Sequence, residues 1–169
     1  MIYTTHILFS CTLMILLMSR VEIFQDILQN ISPLQALFIA SFGSLIPDID
    51  HPGSYISKKS WRLFSLSGSF QRHRGWTHSI FGSFVFSLIF FVYLMYMKAN
   101  PKFIVPFYLG YISHLISDSL NPSRVAWFWP GKRRYGIGFI KTGSFEEVML
   151  QIALITLLSV SILMDMRLI

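Results

Sequence analysis

The chain has 169 residues, 53% hydrophobic and 16% aromatic, with only 13% charged and a formal net charge of +6. That length fits one domain, residues 1–169, and that apolar fraction excludes an ordinary soluble globular protein. The single cysteine, Cys11, excludes a disulfide framework.

The first apolar run, Met1–Ser19, approaches the ~20 residues that cross a bilayer at ~1.5 Å per residue. It lacks a basic leading segment and a small-residue cleavage site, so it reads as a retained helix with His6 near its start. Beyond Arg20, the residues Phe24, Ile27, Leu28 and Ile31 recur at helical spacing with Glu22, Gln25, Asp26, Gln29 and Asn30 between them. This is the pattern of an amphipathic helix lying on the membrane surface. Ser32 and Pro33 then supply an N-cap and a first-turn proline for the second apolar run, Leu34–Ile46. Within that run, Gly43 and Ser44 permit close packing against a neighbouring helix.

Directly behind it stands Pro47-Asp48-Ile49-Asp50-His51-Pro52. The prolines end regular hydrogen bonding on both sides, so Asp48, Asp50 and His51 sit in a turn that can aim them inward; a continuous helix would splay Asp48 and Asp50 by ~200°. Two carboxylates and an imidazole at a membrane edge suit a cation, and a solvated polar turn is the plainer alternative. Residues 53–72 are polar and basic with interleaved aromatics, including Tyr55, Lys58, Trp61 and Arg62, which suits a loop or short helix at headgroup level.

His73-Arg74-Gly75-Trp76-Thr77-His78 precedes the longest apolar run, Ser79–Met97. Thr77 is placed to cap that helix, leaving His78 in its first turn and His73 in the preceding loop, where both imidazoles can converge. The tight turn Lys98–Lys102 leads to the run Phe103–Ser117, which closes with His114 and Asp118. Their i, i+4 spacing puts them on one helical face with Cβ atoms ~5–6 Å apart, a grip for one ion or a metal-free hydrogen-bonded pair. Residues 121–145 carry the aromatic belt Trp127-Phe128-Trp129-Pro130, then Lys132, Arg133, Arg134 and Lys141 among glycines. Such a loop attracts anionic headgroups or phosphate, or simply sets topology. Ser144 with Glu147 reads as a capping box opening the last apolar run, Val148–Met164, which gives Glu147 a structural role.

If the helices alternate in direction, His6, Asp48, His78 and His114 gather on one membrane face. All five histidines fall in this set, together with Asp48, Asp50 and Asp118. Ionisable groups at membrane depth are functional by default, and mixed imidazole and carboxylate donors suit zinc, or manganese and iron in a two-metal site. The same face carries ten of the fourteen Lys and Arg residues, which the positive-inside rule places in the cytoplasm.

Four segments together resemble the YdjM-like family of bacterial inner-membrane proteins, described as metal-dependent hydrolases. They are Gly43-Ser44-Leu45-Ile46-Pro47-Asp48-Ile49-Asp50-His51-Pro52, His73-Arg74-Gly75-Trp76-Thr77-His78-Ser79, Gly110-Tyr111-Ile112-Ser113-His114-Leu115-Ile116-Ser117-Asp118 and Thr142-Gly143-Ser144, and they cover nearly the whole chain in order. More distantly, the Pro-Asp turn and the His-x-x-x-Asp pattern are similar to those of the helical zinc-dependent phospholipase C and P1 nuclease group. That group's N-terminal tryptophan ligand and His-x-x-x-Glu are missing, so one or two divalent ions, zinc first, are expected rather than three.

The fold expected is all-α, an integral membrane helical bundle of about four to five transmembrane or membrane-embedded helices plus interfacial helices. The resemblance implies a multi-pass hydrolase of the bacterial inner membrane, cleaving a phosphoester of a membrane lipid or lipid-linked substrate. In that scheme Asp48, Asp50, His78, His114 and Asp118 bind metal, and His6 completes a second ion. His51 and His73 serve there or as base, and Arg74 holds phosphate. A metal-cation transporter or a metal-binding membrane regulator is the alternative, and no nucleic-acid partner is expected.

Overall fold

The computed structural model describes residues 1–50 and 75–165, with Asp50 and Asp165 described in their backbone alone. Among these residues there are six α-helices and one isolated antiparallel bridge, Val125 with Tyr135. The helices are α1 (Tyr3–Arg20), α2 (Glu22–Leu28), α3 (Pro33–Leu45), α4 (Ile80–Tyr96), α5 (Ile104–Ser119) and α6 (Phe145–Asp165). Single 3₁₀ turns occupy Pro47–Asp50, Trp76–His78 and Pro101–Phe103. The all-helical expectation therefore holds for the described chain.

Local chemistry explains the boundaries. Ser32 caps α3: its Oγ accepts from the Gln35 N–H at 3.3 Å, and Gln35 Oε1 accepts from the Ser32 N–H at 3.0 Å. Two otherwise orphaned donors are thus satisfied at once. The amphipathic segment forms α2, bent 99° from α1, with Leu28 and the following Ile31 buried and Gln25 and Asp26 exposed. The cap of α4 differs from the expectation. It is Ser79, in extended backbone, whose Oγ accepts from the Gly82 N–H at 3.1 Å. Thr77 cannot serve because it lies within the 3₁₀ turn, where its hydroxyl faces His78 Nδ1 at 3.2 Å. His78 consequently sits ahead of α4 and not in its first turn.

Helices α3 and α5 cross with their backbones in contact. A Cβ at Gly43 would collide with the Phe107 carbonyl, and one at Gly110 with the Ala40 carbonyl. One cluster of buried apolar side chains, Met14, Leu28, Ile31, Ala36 and Ala40, joins α1, α2 and α3. A second, Ile46, Phe107, Tyr111, Leu115 and Val125, lies beside the crossing. Helices α1 and α6 run in the same direction: the Ile2 N–H meets Glu147 at one end, and Arg20 reaches Met164 Sδ at the other.

The segment Phe145–Met164 of α6, 20 residues, is by itself long and apolar enough to cross a membrane, and the bent pair of α1 and α2 passes the same test taken together. The apolar helices α3 and α4 are shorter, at 13 and 17 residues. Leu34 and Phe38 on α3, Phe84 and Leu88 on α4, and Ile152 and Ile155 on α6 are all exposed. So much exposed apolar surface on several helices calls for a lipid or protein cover.

The crossing predicts an asymmetric mutational response. Gly110→Val should lower the unfolding midpoint in mild detergent by the equivalent of ~1–3 kcal/mol or more, because backbone cannot yield as a side chain can. Leu34→Ala, at a position 78% exposed, should stay within ~0.5 kcal/mol of the parent. Equal midpoints for the two variants would contradict the close crossing.

Candidate functional site

Four chain segments meet at one end of the bundle. His6 comes from the first turns of α1 and Asp48 from the 3₁₀ turn after α3. His78 comes from the turn before α4, and His114 and Asp118 come from successive turns of α5. The imidazoles and Asp118 are buried, whereas Asp48 is 19% exposed and marks the open side.

The donor atoms lie within a narrow range of one another. His114 Nε2 is 3.3 Å from His78 Nε2 and 3.7 Å from Asp118 Oδ2, while His78 Nε2 is 3.4 Å from Asp48 Oδ1 and 3.6 Å from Asp118 Oδ2. His6 Nε2 is 3.6 Å from Asp118 Oδ1, and its ring stacks on that of His114 at a centroid distance of 3.8 Å. Asp118 Oδ1 also accepts from the Met1 nitrogen at 3.0 Å.

Hydrogen bonds on the far side of two rings assign their tautomers. His114 Nδ1 lies 2.6 Å from the Ser44 carbonyl, which can only accept, so Nδ1 carries the proton and Nε2 presents its lone pair to the cluster. His6 Nδ1 lies 2.7 Å from Ser117 Oγ, and the one hydroxyl proton of Ser117 is given to the His114 carbonyl at 2.9 Å. Ser117 must then accept from His6 Nδ1–H, so His6 also turns a bare Nε2 inward. That Nε2 is buried and has no hydrogen-bond partner.

The bare Nε2 atoms of His6 and His114 face the Asp118 carboxylate at 3.6 and 3.7 Å, a lone-pair repulsion that a cation among them would relieve. Donors ~2.0–2.1 Å from a tetrahedral zinc stand ~3.3–3.4 Å apart, close to the spacings found here. Two overlapping triads qualify by proximity, His6 with His114 and Asp118, and Asp48 with His78 and His114. The residues present therefore fit one or two divalent ions, with the shared His114 at the centre.

The structure thus brings together His6, Asp48, His78, His114 and Asp118. Asp50 belongs to the same turn as Asp48, its side chain lying outside the description. His51, His73 and Arg74, and the basic stretch 53–72, lie outside the described residues. Two supporting groups escaped the sequence reading, Ser117 and the Ser44 carbonyl. Ser117 carried a signal, since it stands one residue before Asp118 on the helix. Nothing in sequence marks a backbone acceptor.

Glu147 is structural by a different route from the one expected. The box with Ser144 is not closed. Glu147 Oε2 reaches back to the N–H of Gly143, whose φ of +77° turns it toward the helix, at 2.6 Å. Its Oε1 accepts from the Ile2 N–H at 2.7 Å and from Thr5 Oγ1 at 2.8 Å. The carboxylate so pins the start of α1, and with it His6, to α6.

A family model described as YdjM inner membrane protein matches residues 1–168. The chain belongs to that family. It is 34% identical over 98 residues to Inner membrane protein YdjM of Escherichia coli (strain K12), covering 54% of this chain and 47% of that one, and equally to the Shigella flexneri protein of the same name. Uncharacterized protein YvsG of Bacillus subtilis (strain 168) is 34% identical over 106 residues, 62% of this chain and 64% of its own. The chain spans about half the length of the YdjM proteins it matches. No solved structure matches it. Membership of the YdjM family makes it a protein of the bacterial inner membrane, in accord with its exposed apolar helices.

The Glu147 anchor yields a prediction. Glu147→Gln sets an amide N–H₂ among three donors and should cost ~1–3 kcal/mol in unfolding free energy, read as a lower melting midpoint in detergent. A midpoint equal to the parent's would show that the carboxylate does not hold α1.

Proposed function

We propose that this YdjM-family protein is a membrane-bound, metal-dependent hydrolase that cleaves a phosphoester of a lipid or lipid-linked substrate. The observation that carries the reading is the convergence of His6, His78 and His114 Nε2 with Asp48 and Asp118, two of the rings held at Nδ1 by Ser117 and the Ser44 carbonyl. Outer hydrogen bonds of this kind orient metal-binding imidazoles. His6, Asp48, His78, His114 and Asp118 would hold one or two divalent ions, zinc first and manganese or iron otherwise, with Asp50 as a further donor. Such an ion supplies Lewis-acid polarisation of a phosphoryl oxygen and water acidic enough to act near neutral pH.

The chain's own groups have separate tasks. Asp48, the exposed member of the cluster, borders the side from which a substrate would enter. Arg74 would hold phosphate through its planar fork, and His51 or His73 would take the proton from the attacking water. The sequence likeness to the phospholipase C and P1 nuclease group supports a phosphoester as the bond cleaved. A transporter would place its ions at mid-membrane between broken helices, whereas these donors gather at helix ends, which favours hydrolysis. The fold is read as a multi-pass bundle with the site on the cytoplasmic face, supported by the ten basic residues assigned to that face.

Purified protein should contain one or two transition-metal ions per chain, and Asp48→Ala or His114→Ala should each lower that content and abolish turnover of phospholipids or lipid pyrophosphates. Ser117→Ala should weaken metal affinity ~10–100-fold while Ser117→Thr retains it. Hydrolysis by demonstrably metal-free protein would defeat the proposal. For topology, single cysteines at Arg133 and Ala99 in a Cys11→Ser background should be labelled from the cytoplasm and periplasm respectively, and the reverse pattern would overturn the orientation.

A further inference from the structure

The segment between α5 and α6 has a role that the cluster does not use. From Leu120 to Phe145 it holds five Lys and Arg residues, no Asp or Glu, and six aromatic side chains. It is not a loose loop. Val125 and Tyr135 exchange backbone hydrogen bonds at 2.9 and 2.8 Å, the Ile137 N–H donates to the Ser119 carbonyl at 2.7 Å, and the Ile140 N–H donates to the Leu120 carbonyl at 2.9 Å. Trp127 Nε1 donates to Ser119 Oγ at 2.8 Å, and the Trp127 carbonyl accepts from the Ile80 N–H at 3.0 Å. These anchors adjoin Asp118 and His78, so the ribbon is fixed to the rim of the cluster.

Its outer face has two chemistries. Phe128 and Phe139 are exposed, the latter 75%, and Trp129 packs at 5.3 Å on Phe81, the first of the exposed apolar residues that run along α4. The apolar surface of the helix therefore continues onto the ribbon. Lys132, Arg133 and Lys141 are exposed on the same segment. Apolar rings adjoining the lipid-facing helix, with exposed positive charge next to them, match a boundary where acyl chains meet negatively charged headgroups.

We infer that residues 127–141 form a docking platform for the anionic phospholipid headgroups of the surrounding bilayer, holding the cluster of imidazoles and carboxylates at headgroup depth. The occupant is a lipid because a soluble anion would satisfy the basic side chains and leave the exposed aromatic residues in water. The inference does not depend on the cluster's being catalytic.

The test uses the full chain in a mild neutral detergent, with binding of dihexanoyl phosphatidylglycerol and dihexanoyl phosphatidylcholine measured by native mass spectrometry. The glycerol lipid should bind at least tenfold more tightly, since each basic residue contributes roughly fivefold at an anionic surface. Lys132→Gln/Arg133→Gln/Lys141→Gln should remove that preference with metal content and melting midpoint unchanged. Lys98→Gln/Lys102→Gln, at the other end of the bundle, should keep it. Phe128→Ser should weaken both lipids alike. Equal binding of the two lipids, a preference that survives the triple variant, or full displacement by inorganic phosphate at equal concentration would each overturn the platform. A preference found in protein that holds no metal would sustain it while removing the proposed hydrolase.

Discussion

The backbone crossing of α3 and α5 is the constraint on which the rest of the molecule depends. With Gly43 against the Phe107 carbonyl and Gly110 against the Ala40 carbonyl, neither helix can withdraw without opening a void, nor accept a side chain without moving. In lipid the gain in hydrophobic burial between helices is small, so close contact of small residues holds a bundle together. The same contact decides the chemistry. Ser44 follows Gly43 and His114 lies one turn beyond Gly110, so the crossing sets the Ser44 carbonyl against His114 Nδ1 and turns the other ring nitrogen into the cluster.

The polar groups of the bundle fall into two kinds. Thr12, Ser19, Ser113 and Ser119 each return a hydroxyl proton to a carbonyl of their own helix, three or four residues back. Such hydroxyls are satisfied within their own helix, although Thr12 also reaches the Leu154 carbonyl and Ser119 also accepts from Trp127. The imidazoles and carboxylates at the helix ends are not self-contained. His6 in particular uses one nitrogen on Ser117 and leaves the other buried without a partner. Buried polar atoms are nearly always paired; Ser10, Ser87 and Ser144 also leave a buried hydroxyl oxygen without a partner, but His6 alone among these is an imidazole aimed at neighbouring imidazoles and carboxylates.

Two further elements hold that cluster in place from outside the crossing. Glu147 ties the first turn of α1 to the first turn of α6 through the Ile2 N–H and the Thr5 hydroxyl, and Gln151 donates to Thr5 one turn later at 2.8 Å. Tyr111 donates to the Thr77 carbonyl, which fixes the turn carrying His78 against α5. Gly82 leaves room for that turn, since a Cβ there would meet the Trp76 carbonyl at 2.5 Å. His6, His78 and His114 are thus each supported by an element other than their own.

The sequence alone determined the residue types and their order. Apolar runs, the Ser32-Pro33 start, the prolines around Asp48 and the i, i+4 pair His114 and Asp118 are local patterns, and local patterns follow from backbone geometry that a few neighbouring residues fix. The cluster membership of His6, Asp48, His78, His114 and Asp118 was legible in one respect, the assumption that helices alternate, which put all of them at one end. What sequence misplaced was equally local: Thr77 and Ser79 are both capping types two residues apart, and only the 3₁₀ turn decides between them. The tertiary structure alone decided the rest. The depth of the α3 and α5 crossing, the tautomers of His6 and His114, and the use of Glu147 as a clamp on α1 depend on atoms brought together from segments up to 145 residues apart. No spacing along the chain encodes such distances, because they arise only when helices have packed and their backbones supply the partners.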